Sequence, residues 1–221
     1  MKIRYIFLFC LFFFNAYAQT IQQIDSVTLE MCTTLKGLTV HDSLKIRAVY
    51  EKHMPSFSKI ITVSSEKAAA ELGDRLYFRL QKNCEAFSDL LNTLEAGKGD
   101  WGRLAQKPIS SLSPKDCQLF GEGKKYYYKE YNGAIVNVEI ANGIWRETFS
   151  DNTVSALNFL PGADCEFALE FIRSDNGMRK NLSVKGDTYQ YGLFEKKKGI
   201  YSVWVQGAGA AVDTFKLYPL K

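Results

Sequence analysis

The feature that most limits the fold is a change of period at Lys124. From there on, apolar and polar residues alternate in short runs separated by turn residues. Only strands accommodate that alternation, because their successive side chains point to opposite faces. KKYYYKEY runs into Asn132-Gly133 and AIVNVEIA into Asn142-Gly143, and both dipeptides suit the positive φ of a type I′ hairpin turn. IWRETFS, VSALNFL and CEFALEFI continue the series, closed by Asp151-Asn152, Pro161-Gly162 and the turn Ser174-Asp175-Asn176-Gly177. Further strand-like pieces lie at 182–184, 188–194, 200–206 and 212–217. Val136, Val138 and Ile140 share one face; Cys165, Phe167, Leu169 and Phe171 share another. Some eight or nine strands joined by tight turns must be neighbours in space, and a meander of that length curls or splits to cover its apolar face.

Upstream of Lys124 the period is helical. Thr20-Ile21-Gln22-Gln23 fits a capping box, and Ile24, Val27, Met31, Leu35 and Leu38 then recur at three- and four-residue steps. A second helix is expected from Asp42 or Ser43 to about His53, ended by Pro55. A third, of up to thirty residues, follows Ser64-Ser65 with the stripe Ala69, Leu72, Leu76, Leu80, Cys84, Phe87, Leu91 and Leu94. The expected fold class is therefore α+β: an N-terminal small helical bundle followed by an antiparallel up-and-down β-barrel or sandwich of 8–9 strands. The helical domain spans 19–96 and the β domain 118–221, with a Gly-, Ser- and Pro-rich linker at 97–117.

Residues 1–18 read as a secretory signal: Lys2 and Arg4, the apolar run YIFLFCLFFF, then Ala16 and Ala18 at the small positions before a cleavage site. The run is too short to span a bilayer, so no stable membrane insertion is expected after cleavage, and the expected location is periplasmic or secreted. Losing Lys2 and Arg4 takes the formal charge from +4 to +2. That is too little for a nucleic-acid partner, which needs a concentrated basic face. The densest basic run, Lys196-Lys197-Lys198 before Gly199, reads as a solvated hairpin loop.

Cys10 lies in the leader, which leaves Cys32, Cys84, Cys117 and Cys165. An even count in an exported chain points to disulfides, and four cysteines allow three pairings. Cys32–Cys84 and Cys117–Cys165 are favoured because each closes a loop inside one half. No metal site is expected: CxxC is absent, and His41 and His53 lie far from any cysteine.

The chain contains no GxSxG, HExxH, P-loop or GxGxxG, and the β half has no histidine. No catalytic residue and no cofactor are assigned. Glu139, Glu147, Glu166 and Glu170 lie on expected strands; Glu166 and Glu170, on the face opposite Phe167, Leu169 and Phe171, read as solvent-facing, and acids lining a barrel interior would instead take on a functional character. The aromatic density of the β half is the more pointed signal. Tyr126, Tyr128, Trp145, Phe167, Tyr189, Tyr191 and Trp204 are candidates to line a ligand cavity, with core packing as the plainer role.

The order of features resembles a loose group of exported proteins of unassigned function from Bacteroidetes-type bacteria. The likeness lies in VTLEMCTTLKG and LQKNCEAFSDLL in the helical half, and in GAIVNVEIANGIWRE, LPGADCEFALEF and GDTYQYGLFEKKKGIYSVWV in the β half. It implies a lipocalin-like β domain and export, and it carries no catalytic residues across. The first strand, KYYYKEY, lacks the G-x-W of lipocalins. The function expected is a non-enzymatic binding protein holding a small apolar or aromatic ligand in the β domain. The alternative is a protein-interaction module (an inhibitor, immunity-type protein or assembly factor) whose partner is another envelope protein.

Overall fold

A computed structural model of the chain describes residues 15–60, 65–94, 99–121, 123–207, 209 and 211–220. The core of the expected leader, residues 1–14, lies outside the described residues. The chain divides into two compact units, Met1–Phe87 and Ser88–Lys221.

The first unit is built on three helices, α1 (Asn15–Gly37), α2 (Asp42–Ile60) and α3 (Glu66–Asn83). α1 packs against both of the others through Ile24, Val27, Met31 and Leu35, all buried, as the helical spacing requires. Leu76 and Leu80 answer from α3, Val49 and Phe57 from α2. Cys32 is bonded to Cys84, with their Cα atoms 5.5 Å apart.

Three local expectations give way in this unit. α1 starts at Asn15, so Thr20 lies inside the helix and not at its start. α2 passes through Pro55 to Ile60, and Phe57, only 3% exposed, anchors the turn that the proline weakens. The long third helix is broken at Cys84, whose extended backbone (φ −125°, ψ 105°) separates α3 from α4 (Glu85–Leu94). Cys84 is the residue held by the disulfide, which accounts for a break that periodicity alone does not show.

The second unit is a closed antiparallel barrel of eight strands with one added strand. The strands are β1 (Gly102–Leu104), β2 (Lys124–Lys129), β3 (Ile135–Ala141), β4 (Ile144–Thr148), β5 (Val154–Pro161), β6 (Glu166–Ser174), β7 (Thr188–Lys197), β8 (Ile200–Gln206) and β9 (Val212–Pro219). β2 to β9 pair in sequence, and β9 closes the barrel by pairing with β2 as well as β8. The closing seam is short on one side: only Tyr126 and Tyr127 of β2 face Pro219 and Tyr218. β1 extends that side, pairing Gly102, Arg103 and Leu104 with Thr214, Asp213 and Val212. A sheet edge that β2 leaves uncovered is thus satisfied by residues expected to be linker.

The expected linker is woven into the barrel in other ways too. The Trp101 Nε1–H donates to the Lys129 carbonyl at 2.6 Å, and its ring stacks on Tyr131 and Phe215 at 4.8 and 5.0 Å. Ser111 donates from N and Oγ to the Phe194 carbonyl. A short helix, α5 (Pro114–Gln118), is capped by Ser113 and tied down by Cys117–Cys165.

Turn chemistry follows the residues closely. Asn142 and Gly143 both have positive φ (54° and 70°), the expected type I′ pair, and Lys198-Gly199 forms a second such pair. At Asn132-Gly133 only the glycine is left-handed (φ 83°). There Gly133 N–H bonds to the Glu130 carbonyl, and Glu130 N–H to the Ala134 carbonyl, giving a three-residue hairpin with a glycine bulge in place of type I′. The strand-like piece at 182–184 is also replaced: Asn176 caps a short helix, α6 (Gly177–Leu182), through its Oδ1 and the Arg179 N–H.

Candidate functional site

The core of the barrel is built from side chains of all eight barrel strands, β2 to β9. Tyr126, Tyr128, Trp145 and Phe167 belong to its core, each at most 3% exposed, and Tyr189 and Tyr191 pack against them half-buried. These six candidates are brought together. Their rings meet one another: Phe120 stands 5.3 Å from Phe167, Phe167 5.3 Å from Tyr191, Tyr191 6.4 Å from Phe215, and Phe215 5.0 Å from Trp101. Those separations are the contact distances of aromatic pairs, so a continuous column of rings runs through the barrel. Trp145 stacks on Phe167 at 5.9 Å, and its Nε1–H is buried with no partner among the described residues.

Trp204 is the exception. Its strand neighbours Tyr201 and Val203 enter the core, so alternation turns Trp204 outward. It is buried on that outer face by contact with Gly192, where a Cβ would come within 2.5 Å of the indole nitrogen. Lys107 covers it, with Nζ 4.9 Å from the ring centre, and Lys107 also pairs with Glu166.

A polar network sits beside Tyr128. Arg179 of α6 donates from Nη2 to the Tyr128 hydroxyl and to Glu130 Oε1, both at 2.7 Å, and its Nε lies 3.5 Å from Glu147. Tyr128 donates to Glu147 Oε1 at 3.0 Å. Burial pushes the Tyr128 hydroxyl well up, helped by Glu147 and Glu130 and opposed by Arg179. Burial works against the charge on Arg179, but Tyr128, Glu147 and Glu130 outweigh it and hold the guanidinium protonated. Glu147 is therefore an interior acid, 8% exposed, with Tyr128 and Arg179 as partners. The sequence expectation missed Arg179 because it lies between a turn read at Ser174-Asp175-Asn176-Gly177 and a strand-like piece read at 182–184. Its signal was an Asn cap followed by helix formers.

A second constellation lies where β2 begins, beyond the Phe120 ring. An open cleft of about 540 Å³ is lined by Leu119, Lys124, Lys125, Tyr126, Lys196, Tyr201, Pro219 and Leu220, with two glycines. Four separate segments build it. Cys117–Cys165 fixes α5 and so places Leu119; Phe120 next to it packs on Tyr126 and Tyr201 at 5.2 and 5.6 Å. The Leu220 N–H donates to the Lys125 carbonyl, which pins the chain end beside β2. The Lys198-Gly199 turn presents Lys196 and Tyr201. Lys196 is no solvated loop residue: it pairs with Asp116 at 2.9 Å and lies 4.8 Å over the Tyr201 ring. Its ammonium is held above the ordinary lysine range by Asp116 first and Tyr201 second. Burial, then Tyr201, pushes the Tyr126 hydroxyl well above the usual tyrosine value, so it remains neutral.

Among the described residues no group of three or more His, Cys, Asp or Glu could hold a metal ion, and no helix is long and apolar enough to cross a membrane. In the helical unit His53 Nε2 bonds to Thr34 Oγ1 at 2.8 Å and His41 Nδ1 to Ser43 Oγ at 2.9 Å. Comparison with known proteins finds no matching family model, no matching curated protein and no matching solved structure.

Proposed function

We propose that this chain is an exported, non-enzymatic binding protein that works in the periplasm or outside the cell and takes a small, partly apolar ligand on its β unit. The observation that carries this is the open cleft beside Tyr126, of about 540 Å³, within the roughly 300–1,000 Å³ usual for small-molecule sites. Ring contacts among Phe120, Phe167, Tyr191, Phe215 and Trp101 fill part of the barrel core, which favours the cleft beside Tyr126 as the place for a ligand. Two disulfides, one in each unit, agree with an oxidising compartment. The leader-like residues 1–18 agree with export.

Native mass spectrometry of the protein exported to an oxidising compartment tests this. A discrete extra mass that organic extraction releases, and that Leu220→Trp removes by filling the cleft, is the expected result. A bare mass for both proteins counts against a ligand. The alternative, a protein-interaction module, would put Ile109, 95% exposed after Pro108, against another envelope protein. In that case Ile109→Asp abolishes capture of the partner and leaves the extracted mass unchanged.

A further inference from the structure

The cleft lining carries two kinds of surface, and reading a ligand class from them rests on the cleft being the ligand site. Leu119, Pro219, Leu220 and the faces of Tyr126 and Tyr201 form an apolar wall, and Leu119 and Leu220 remain half-exposed for a molecule to cover. Around it stand Lys124, Lys125 and Lys196, and no carboxylate is among the described lining residues. Asp116 and Glu139, which pair with Lys196 and Lys125, lie outside the lining. Lys124 has no ion pair among the described residues. With Lys196 and Lys125 already paired, Lys124 is the cation left to be matched; beside an apolar wall and neutral phenols it makes an anion the complementary charge and a hydrocarbon the complementary body.

We propose that the cleft binds a single-chain amphiphile with an anionic head group, its chain on Leu119, Pro219, Leu220 and the tyrosine rings, its head among Lys124, Lys125 and Lys196. A free acyl carboxylate and a phosphate-headed chain share this chemistry.

Titration calorimetry on the full exported chain, with dodecanoate, dodecyl phosphate and dodecanol each kept below micelle-forming concentrations, tests it. Both anions are expected to bind, dodecanol roughly tenfold more weakly or worse. Lys124→Glu is expected to weaken the anions by roughly tenfold and leave dodecanol unchanged, while Lys124→Arg keeps the wild-type order. Lys124 is exposed, so its replacement leaves the fold intact; Lys125→Glu repeats the test on a second cation. The tighter of the two anions identifies the head group. Equal binding of dodecanol, with no response to either charge reversal, overturns the anionic assignment and leaves an apolar cleft. Failure of all three probes, while extraction still releases a bound molecule, overturns the amphiphile and leaves the binding protein. Failure of all three with nothing released overturns both.

Discussion

In the helical unit the core is a mostly aliphatic seam, with Ile24, Met31, Leu76 and Leu80 fully buried and Phe57 and Phe87 beside them; in the β unit it is built on a column of rings from Phe120 to Trp101. The seam joins helices whose backbone bonds are internal to each helix, so only side chains and Cys32–Cys84 hold them together. The barrel is closed by backbone pairing all the way round. A tether should therefore matter more to the first unit than to the second, although the disulfides close loops of similar length, 52 and 48 residues.

That contrast can be broken most sharply at the cysteines. Loop entropy assigns about 4 kcal/mol to each bridge. Replacing Cys32 and Cys84 by alanine is expected to remove the helical melting transition at 37 °C, since a unit this small has little stability to lose. Replacing Cys117 and Cys165 is expected to lower the β-unit midpoint but preserve its sheet signal in circular dichroism. Loss of both signals in either double variant contradicts the comparison.

The next effect is at two arginines, Arg79, which is buried, and Arg179, which is partly buried. Arg179→Met strands Glu130 and Glu147 and is expected to cost the β unit about 3 kcal/mol in denaturant unfolding. Arg79→Met leaves Asp25, a third exposed, and is expected to cost the helical unit about 2 kcal/mol or less. Equal costs would remove the distinction between a network and a single pair.

Glycines separate the units by sign. Gly192→Ala drives a Cβ into the Trp204 indole and is expected to destabilise by about 1–3 kcal/mol. Gly73→Ala meets no atom within 4 Å in a helix interior and is expected to stabilise by about 1 kcal/mol. Thermal melts of the two single variants check both.

Smallest is the response to alkali. Burial raises Tyr126, Tyr128 and Tyr191 above the ordinary value of 10.0. A raised folded-state value gives stability that is complete below the unfolded value and lost as pH climbs above it. The β unit is thus expected to weaken above about pH 10 while these phenols titrate late by ultraviolet difference absorption. Tyr218, pushed up to about 12 by burial and then by Asp100, should ionise before them.

The strand alternation, the Asn142-Gly143 turn, the apolar helix faces and the cysteine pairing were legible because each is a local or parity property of the chain. Helix α6 was hidden by Asn176-Gly177, which serves a turn and a helix cap equally well. Trp204 was misplaced because an aromatic on a strand says nothing about which side its neighbours leave covered. β1 could not be read, since its role is set by where β2 stops along β9. The cleft is the extreme case: α5, β2, the β7–β8 hairpin and the end of β9 contribute one or a few residues each, and no single segment carries a signature.

The most direct test follows amide and indole chemical shifts of the exported protein during a dodecanoate titration. The expected result is a set of saturating shifts at Lys124, Lys125, Tyr126, Lys196, Tyr201 and Leu220, with the Trp145 indole N–H unmoved. A shift of the Trp145 indole and of the residues around Phe167, with the lysines silent, would place the ligand inside the barrel and contradict the account.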